Sequence, residues 1–357
     1  MTPDINPSRR QLLQMLALGA GAGILQGCSS MSSPAQPSQA SLRLYLTACS
    51  GIVPEKQRQL ALPRLAHAGF SLENAAALNR VYQRFSGTDT ERLSDLQTLL
   101  DQPQWPQLIM AGRGGYGAMR LLPRLDLARL GARLKESRSL LIGYSDFCAI
   151  QLALLAKSGA GSFAGPMLGD FGSATPNAYA INEFIAGIST PQRSLRIAGS
   201  QPQARGEGIF WGGNLSVLSS LAGTPYLPDI KGGLLFLEDV GEQPYRVERM
   251  LQQLHLAGVL GKQKAIFLGD FSMQRHVDVY DPHYNFDAVV AELRRISGVP
   301  VFTGLPFGHI AAKTTMPLGF PARFQAEGDG VTLQFLDYPT VDASAIQIPA
   351  LLAERPI

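Results

Sequence analysis

A chain of 357 residues, 45% hydrophobic and 17% charged, is long enough for two ordinary domains with proper cores. The formal net charge of +3, with no dense basic stripe, argues against a nucleic-acid partner. The 37 glycines and 24 prolines fall largely where strands would end, as in a loop-rich α/β protein.

The first segment stands apart from the fold. Ser8-Arg9-Arg10-Gln11-Leu12-Leu13 has the form of a twin-arginine export signal. The apolar stretch from Leu12 to Leu25 is too short for a membrane-spanning helix, which needs roughly 20 residues. It ends in Leu25-Gln26-Gly27-Cys28, a lipobox-like site at which Cys28 would be lipidated; simple cleavage of an export signal is the alternative. Residues 29–41 read as a disordered polar tether, reaching roughly 40 Å when extended. Ser29 after the cysteine points to the inner face of the outer membrane in a Gram-negative cell, with the membrane engaged only through the lipid. Cys49 and Cys148 then remain, and are expected as two buried free thiols, although export would permit a disulfide.

From Leu42 the pattern alternates between strand and helix. Leu42–Thr47 reads as a strand, Glu55–His67 as a helix with Leu60, Leu62 and Leu65 on its apolar side, and Gly69–Leu78 as a second strand. Thr88-Asp89-Thr90-Glu91 has the form of a capping box, opening a helix with Leu93, Leu96, Leu99 and Leu100 at helical spacing. Leu108–Ala111 is a short buried strand that runs into the loop Gly112-Arg113-Gly114-Gly115-Tyr116-Gly117 and then a helix through Leu121 and Leu122. Leu140–Tyr144 and Asp146–Lys157 give the next strand and helix. Such repeated units imply a parallel, flavodoxin- or Rossmann-like sheet over residues 42–170, with any active site at the carboxyl ends of its strands. The pattern breaks over 171–204, read as a linker with one short helix at Asn182–Ile188. A second, smaller, β-rich domain over 205–350 would hold strands at Gly233–Glu238, Lys264–Gly269 and Val299–Leu305, a helix at Arg246–Ala257, and polar β-like segments to about residue 347.

Ser145 sits at the strand-to-helix turn, where a serine is either a helix N-cap or a nucleophile pushed towards solvent. Phe147 occupies the place of the second glycine in Gly-x-Ser-x-Gly, which weakens an ordinary α/β-hydrolase reading. The glycine loop lacks Gly-x-Gly-x-x-Gly and a Walker lysine; its Gly114 or Gly115 N–H, beside that of Asp146, would suit an oxyanion hole, and a plain tight turn is the alternative. Of His67, His255, His276, His283 and His309, no pair has metal-ligand spacing with a supporting acid. His309 follows a strand's carboxyl end and is the best candidate for a base. Glu238 ends an apolar strand, where a carboxylate is costly unless paired, and could orient a histidine or cap a helix.

Several short stretches recur in the order of a known family: Arg84-Phe-Ser-Gly-Thr-Asp89 with Arg92, Arg113-Gly-Gly-Tyr-Gly117 with Arg120-Leu-Leu-Pro, Gly143-Tyr-Ser-Asp146, Gly165-Pro-Met167, Gly212-Gly-Asn-Leu215, Leu235-Phe-Leu-Glu-Asp239, Tyr245-Arg246 with Arg249, and Gly308-His309. Over residues 42 to 345 the chain resembles the serine LD-carboxypeptidases, the murein tetrapeptide carboxypeptidases. The resemblance implies a triad of Ser145 as nucleophile, His309 as general base and Glu238 as orienting acid, in a cleft between a parallel α/β domain and a smaller β-rich one. It implies release of the terminal D-alanine from muropeptides by an L,D-cleaving homodimer that uses no metal or cofactor. Arg113, Arg246 and Arg249 are candidates to hold the substrate carboxylate, with structural salt bridges as the alternative for each. The chain departs from the family at Ala164, where many relatives carry histidine, at Thr47-Ala-Cys-Ser50, which lacks the usual Pro-Ser, and in its export signal, which would place it in the periplasm. Two other readings remain: a hydrolase like the microcin C immunity proteins, which export argues against, and a non-catalytic lipoprotein that binds muropeptides.

Overall fold

The computed structural model describes residues 41–273 and 278–354. The signal segment, Cys28, residues 29–40 of the expected tether and His276 lie outside the described residues. None of the described helices is long and apolar enough to cross a membrane.

The first half of the chain alternates as expected. It runs β1 (Leu42–Thr47), α1 (Glu55–His67), β2 (Phe70–Glu73), α2 (Asp89–Leu100), β3 (Leu108–Ala111), α3 (Leu127–Ser137), β4 (Leu140–Gly143), α4 (Cys148–Ser158), β5 (Ser162–Ala164) and the short α5 (Leu168–Phe171). Strands β3 and β4 are apolar and buried at every position, the signature of a parallel sheet covered on both faces. Helix α2 opens with both hydrogen bonds of the capping box at Thr88 and Glu91. The segment expected as one strand over Gly69–Leu78 is shorter. At Asn74 the backbone turns left-handed (φ 59°) and Ala75–Asn79 winds into a 3-10 turn, held where Asn74 Nδ2 donates to the Leu46 carbonyl at 2.9 Å. The helix expected after the glycine loop is also a 3-10 turn, Ala118–Arg124, with Pro123 inside it.

Residues 171–204, read as a linker, carry α6 (Ala178–Ser189) and β6 (Arg193–Ala198). The remainder adds β7 (Arg205–Asn214), α7 (Leu215–Ser220), β8 (Leu234–Glu238), α8 (Pro244–Leu256), β9 (Ala265–Leu268), α9 (Phe286–Ser297), β10 (Val301–Thr303), β11 (Met316–Leu318), β12 (Phe320–Glu327), β13 (Gly330–Phe335) and α10 (Ile348–Leu352). Two sheets result. The first has the order β11-β5-β4-β3-β1-β2 and the second β10-β9-β8-β7-β12-β13-β6. In the first sheet β1 to β5 pair in parallel, and β11 adds antiparallel to β5 through Met316–Ala164 and Leu318–Ser162. A strand from the far end of the chain therefore completes the sheet built by its beginning. In the second sheet β7 to β10 are parallel, while β12, β13 and β6 close it in antiparallel pairs.

Two anchors tie distant segments together. Arg64 on α1 is fully buried, and its guanidinium donates to the carbonyls of Phe171, Ser173 (2.9 Å) and Ala353 (2.8 Å). Gly212 lets β7 lie close against β8, since a Cβ there would stand 1.9 Å from the Phe236 carbonyl oxygen. Cys49 and Cys148 are buried free thiols, as expected.

Candidate active site

Three residues from three segments meet at the carboxyl ends of the parallel strands. Ser145 follows β4, Glu238 ends β8, and His309 follows β10. His309 Nε2 lies 2.9 Å from Ser145 Oγ, and His309 Nδ1 lies 2.8 Å from Glu238 Oε2. Glu238 is fully buried, whereas Ser145 and His309 are partly open to solvent. The hydroxyl of Ser145 therefore serves the imidazole and not a helix end. The backbone agrees, for Ser145 has φ 60°, a left-handed conformation that a serine adopts at a cost of order 1–3 kcal/mol. It opens a 3-10 turn, Ser145–Phe147, that leads into α4.

The glycine loop explains its own composition here. A Cβ on Gly114 would lie 2.6 Å from both Cβ and Oγ of Ser145 and 3.3 Å from the Asp146 nitrogen, so only glycine fits against the serine. Gly115 instead faces Gly51. The loop is pinned to the serine turn by Asp146, whose carboxylate accepts the Ala118 N–H at 2.9 Å. Gly114, Ser145 and the backbone N–H of Asp146 thus share one corner.

Asn214 holds the acid in place. Its Oδ1 accepts the Val217 N–H at 3.1 Å at the start of α7, which fixes the amide so that Nδ2 donates to Glu238 Oε1 (3.2 Å) and Asp239 Oδ1 (3.1 Å). Burial, with the neighbouring Glu238 charge, pushes the Asp239 carboxyl up to about 6 against the N–H groups of Val240 and Ser216 and the Asn214 amide. For His309 burial alone would lower the pKa, but the hydrogen bond and charge of Glu238 outweigh it. The imidazole is held above its ordinary value. Tyr144 packs its ring edge-on to His309 with centroids 5.2 Å apart. Beyond it lies a buried ion pair that the sequence did not suggest. Lys313 Nζ contacts the Tyr144 hydroxyl at 2.8 Å and Asp170 Oδ1 at 2.5 Å.

The three candidate arginines separate. Arg113, on the glycine loop, is exposed and donates to the Ile52 carbonyl at 2.8 Å. Arg246 is exposed on α8 beside Tyr245 and Glu242, and Arg249 is exposed one turn on. Among the described residues none of the three hydrogen-bonds a triad member. His67 and His255 lie on α1 and α8, and His283 pairs with Asp281 in an exposed loop. Among the described residues no group of three or more His, Cys, Asp or Glu side chains is arranged to hold a metal ion.

Known proteins share this architecture and sequence. Residues 44–165 match the model of the LD-carboxypeptidase N-terminal domain and 207–324 that of the C-terminal domain. A Streptomyces coelicolor protein with a carboxypeptidase name is 32% identical over 303 residues, 82% of this chain and 93% of the relative. The murein tetrapeptide carboxypeptidase of Pseudomonas aeruginosa is 31% identical over 290 residues, 78% of this chain and 91% of the relative. The crystal structure of muramoyltetrapeptide carboxypeptidase from Oxalobacter formigenes superposes with a TM-score of 0.77 at 40% identity, covering 84% of this chain and all of that one. With both domain models matched in order, and relatives above 30% identity along most of its length, the chain belongs to the LD-carboxypeptidase family of serine peptidases.

Proposed function

We propose that the protein is a serine LD-carboxypeptidase that releases the terminal D-alanine of murein tetrapeptides, with Ser145, His309 and Glu238 as its triad. The observation that carries the reading is the continuous hydrogen-bond chain from Glu238 Oε2 through both nitrogens of His309 to Ser145 Oγ. His309 takes the Ser145 proton while Oγ attacks the carbonyl that precedes D-alanine. The oxyanion is met by the Asp146 N–H and by an N–H of Gly114 or Gly115. His309 then donates its proton to the leaving amine, and D-alanine departs. Water attacks the acyl-enzyme in turn, giving its proton to His309, and the tripeptide acid leaves as Ser145 is reprotonated. Glu238 stays ionised throughout, holding Nδ1–H and stabilising the imidazolium.

Mass spectrometry of a disaccharide-tetrapeptide incubated with the purified protein tests this. Loss of one D-alanine is expected, and Ser145→Ala that remains equally active overturns it. An aminoacyl sulfamoyl adenosine incubated in parallel reports the activity suggested by the microcin C7 self-immunity protein of Escherichia coli, which is 27% identical over 76% of this chain.

The site of action belongs to the same proposal. Arg9-Arg10 and the motif ending at Cys28 support twin-arginine export to the periplasm and a lipid anchor on the inner face of the outer membrane, with the enzyme as a homodimer. Labelling with a palmitate analogue that persists in Cys28→Ala argues against the anchor, and light scattering of the purified protein reads the dimer.

A further inference from the structure

His309 sits between β10 and β11, where residues 304–315 form neither helix nor strand. Something other than regular structure must hold the imidazole. Its two hydrogen bonds, to Ser145 Oγ and Glu238 Oε2, run out from the ring nitrogens in roughly opposing directions. They fix the ring along one line and leave it free to rock about that line. The contact that resists the rocking is Tyr144, whose ring packs at 64° to the imidazole with centroids 5.2 Å apart.

Tyr144 directly precedes Ser145, and its own ring is held at both ends. Phe307 packs edge-on to it at 5.8 Å. Its hydroxyl accepts from Lys313 Nζ at 2.8 Å and donates to Asp170 Oδ1 at 3.3 Å. Lys313 is 2% exposed and pairs directly with Asp170, so the two charges satisfy one another. Both ends of the pair are anchored. Asp170 Oδ2 accepts the Met167 N–H at 2.9 Å, and the Gly169 N–H donates to the Gly112 carbonyl at the root of the glycine loop at 3.1 Å. On the other side the Thr314 N–H donates to the Pro306 carbonyl at 2.9 Å, closing the loop behind His309, and the Thr314 hydroxyl bonds Glu183. One ammonium thus joins the segment that ends at Ser145, the segment that begins at His309, and α5. A buried ion pair adds little net stability over an apolar pair of the same shape, whereas it can select one arrangement over others.

We propose that Lys313 is a positioning residue for His309: by clamping the Tyr144 hydroxyl against Asp170 it holds the Tyr144 ring on the imidazole, and so keeps Nε2 aimed at Ser145 Oγ. The proposal rests on the carboxypeptidase reading, since it needs His309 to work as the base. Lys313 touches neither His309 nor Ser145 by a hydrogen bond, and its effect passes through the tyrosine. A displacement of about 1 Å between reacting groups costs about a hundredfold in rate, which sets the scale of the effect.

The test is the pH profile of D-alanine release from a disaccharide-tetrapeptide. Lys313→Met is expected to lower the plateau kcat at least about thirtyfold with KM changed by less than about threefold, and Lys313→Arg to recover part of the loss. Tyr144→Phe keeps the ring and removes the clamped hydroxyl, so it should lose a comparable factor. The double variant, Lys313→Met with Tyr144→Phe, should lose no more than the worse single one, because both changes cut the same path. The Lys313 charge also opposes the imidazolium that the Glu238 and Asp239 carboxylates favour. Were charge its whole influence, Lys313→Met would move the acidic limb to higher pH and leave the plateau intact, and that result overturns the proposal. Losses that multiply in the double variant, or a raised KM at unchanged kcat, overturn it too. If Lys313→Met fails to fold by circular dichroism, Tyr144→Phe decides alone, and a wild-type plateau there is the refuting result. No release by the wild-type protein overturns the carboxypeptidase reading and the positioning role with it, whereas release that survives in the variants overturns the positioning role only.

Discussion

Replacing Glu238 by glutamine separates its charge from its shape. In the wild type a fully buried carboxylate accepts from His309 Nδ1 at 2.8 Å. When His309 takes the serine proton, a positive ring forms beside that carboxylate. With charge centres about 4 Å apart and an effective dielectric of about 20, the attraction is about 4 kcal/mol, or roughly a thousandfold in rate. Glutamine removes it. The amide also keeps its oxygen or its nitrogen towards Asn214 Nδ2, and the acceptor for a donor is its oxygen. Its NH₂ group would then face Nδ1, driving the proton to Nε2, the tautomer that cannot accept from Ser145. Both effects lower kcat, so Glu238→Gln should fall about 10³-fold or more with an intact fold by circular dichroism. The pH profile gives an independent sign. Glu238 raises the His309 pKa while burial lowers it, so the wild-type acidic limb should have its midpoint above the ordinary histidine value. In the variant burial and the Lys313 charge still lower it, opposed only by the smaller influence of Asp239, so the limb should move to lower pH even as the plateau drops. Steady-state release of D-alanine measured from pH 5 to 9 gives both quantities. A loss below tenfold, or a limb that stays put or moves up, refutes this account of the triad.

Further outcomes follow from other residues. Gly114→Ala pushes a methyl into Ser145 Oγ and should cut kcat at least about a hundredfold with little change in KM, checked by steady-state kinetics. Ser145→Gly releases a left-handed residue, so the inactive protein should unfold at a denaturant midpoint higher by the equivalent of about 1 kcal/mol. Arg64→Ala orphans three carbonyls and an arginine-sized space, costing about 3 kcal/mol in urea unfolding without altering the pH profile. Asp239 holds a proton in the fold up to about pH 6, whereas the unfolded chain releases it near pH 4. The fold thus loses roughly 3 kcal/mol from this group as pH rises through that window, and Asp239→Asn should gain on the wild type between pH 4 and pH 7 in the same assay.

The sequence carried the frame and the residues of the proposed triad because both leave local marks. Apolar runs of strand length followed by capped amphipathic helices disclose a parallel sheet, and Ser145 and Glu238 stand at the ends of such runs. What escaped did so for physical reasons. Helix α3 is the exception, for Asp126 as its cap and Leu127, Leu130 and Leu134 at helical spacing do signal it. Strand β7 is hidden by Gly206, Gly208, Gly212 and Gly213, which lower strand propensity yet allow close approach of the neighbouring backbones. Asn214 was visible within a motif, but its grip on Glu238 spans 24 residues of sequence. Lys313 lies in a polar stretch that reads as surface, and its partner Asp170 is 143 residues away. No local pattern encodes such a pair.

The edge strand β11 also bears on how the enzyme comes to exist. The sheet that carries Ser145 lacks its last strand until residues 316–318 have been made, and the chain passes His309 and Lys313 on the way there. During synthesis the proposed nucleophile Ser145, acid Glu238 and base His309 and then the closing strand emerge in that order. A nascent or truncated chain that ends before β11 would carry an exposed strand edge at β5 and an unsecured base, so hydrolytic power arrives late, with the final stitch of the fold. With the periplasmic site of action proposed above, that timing keeps the serine idle while the polypeptide is still being built.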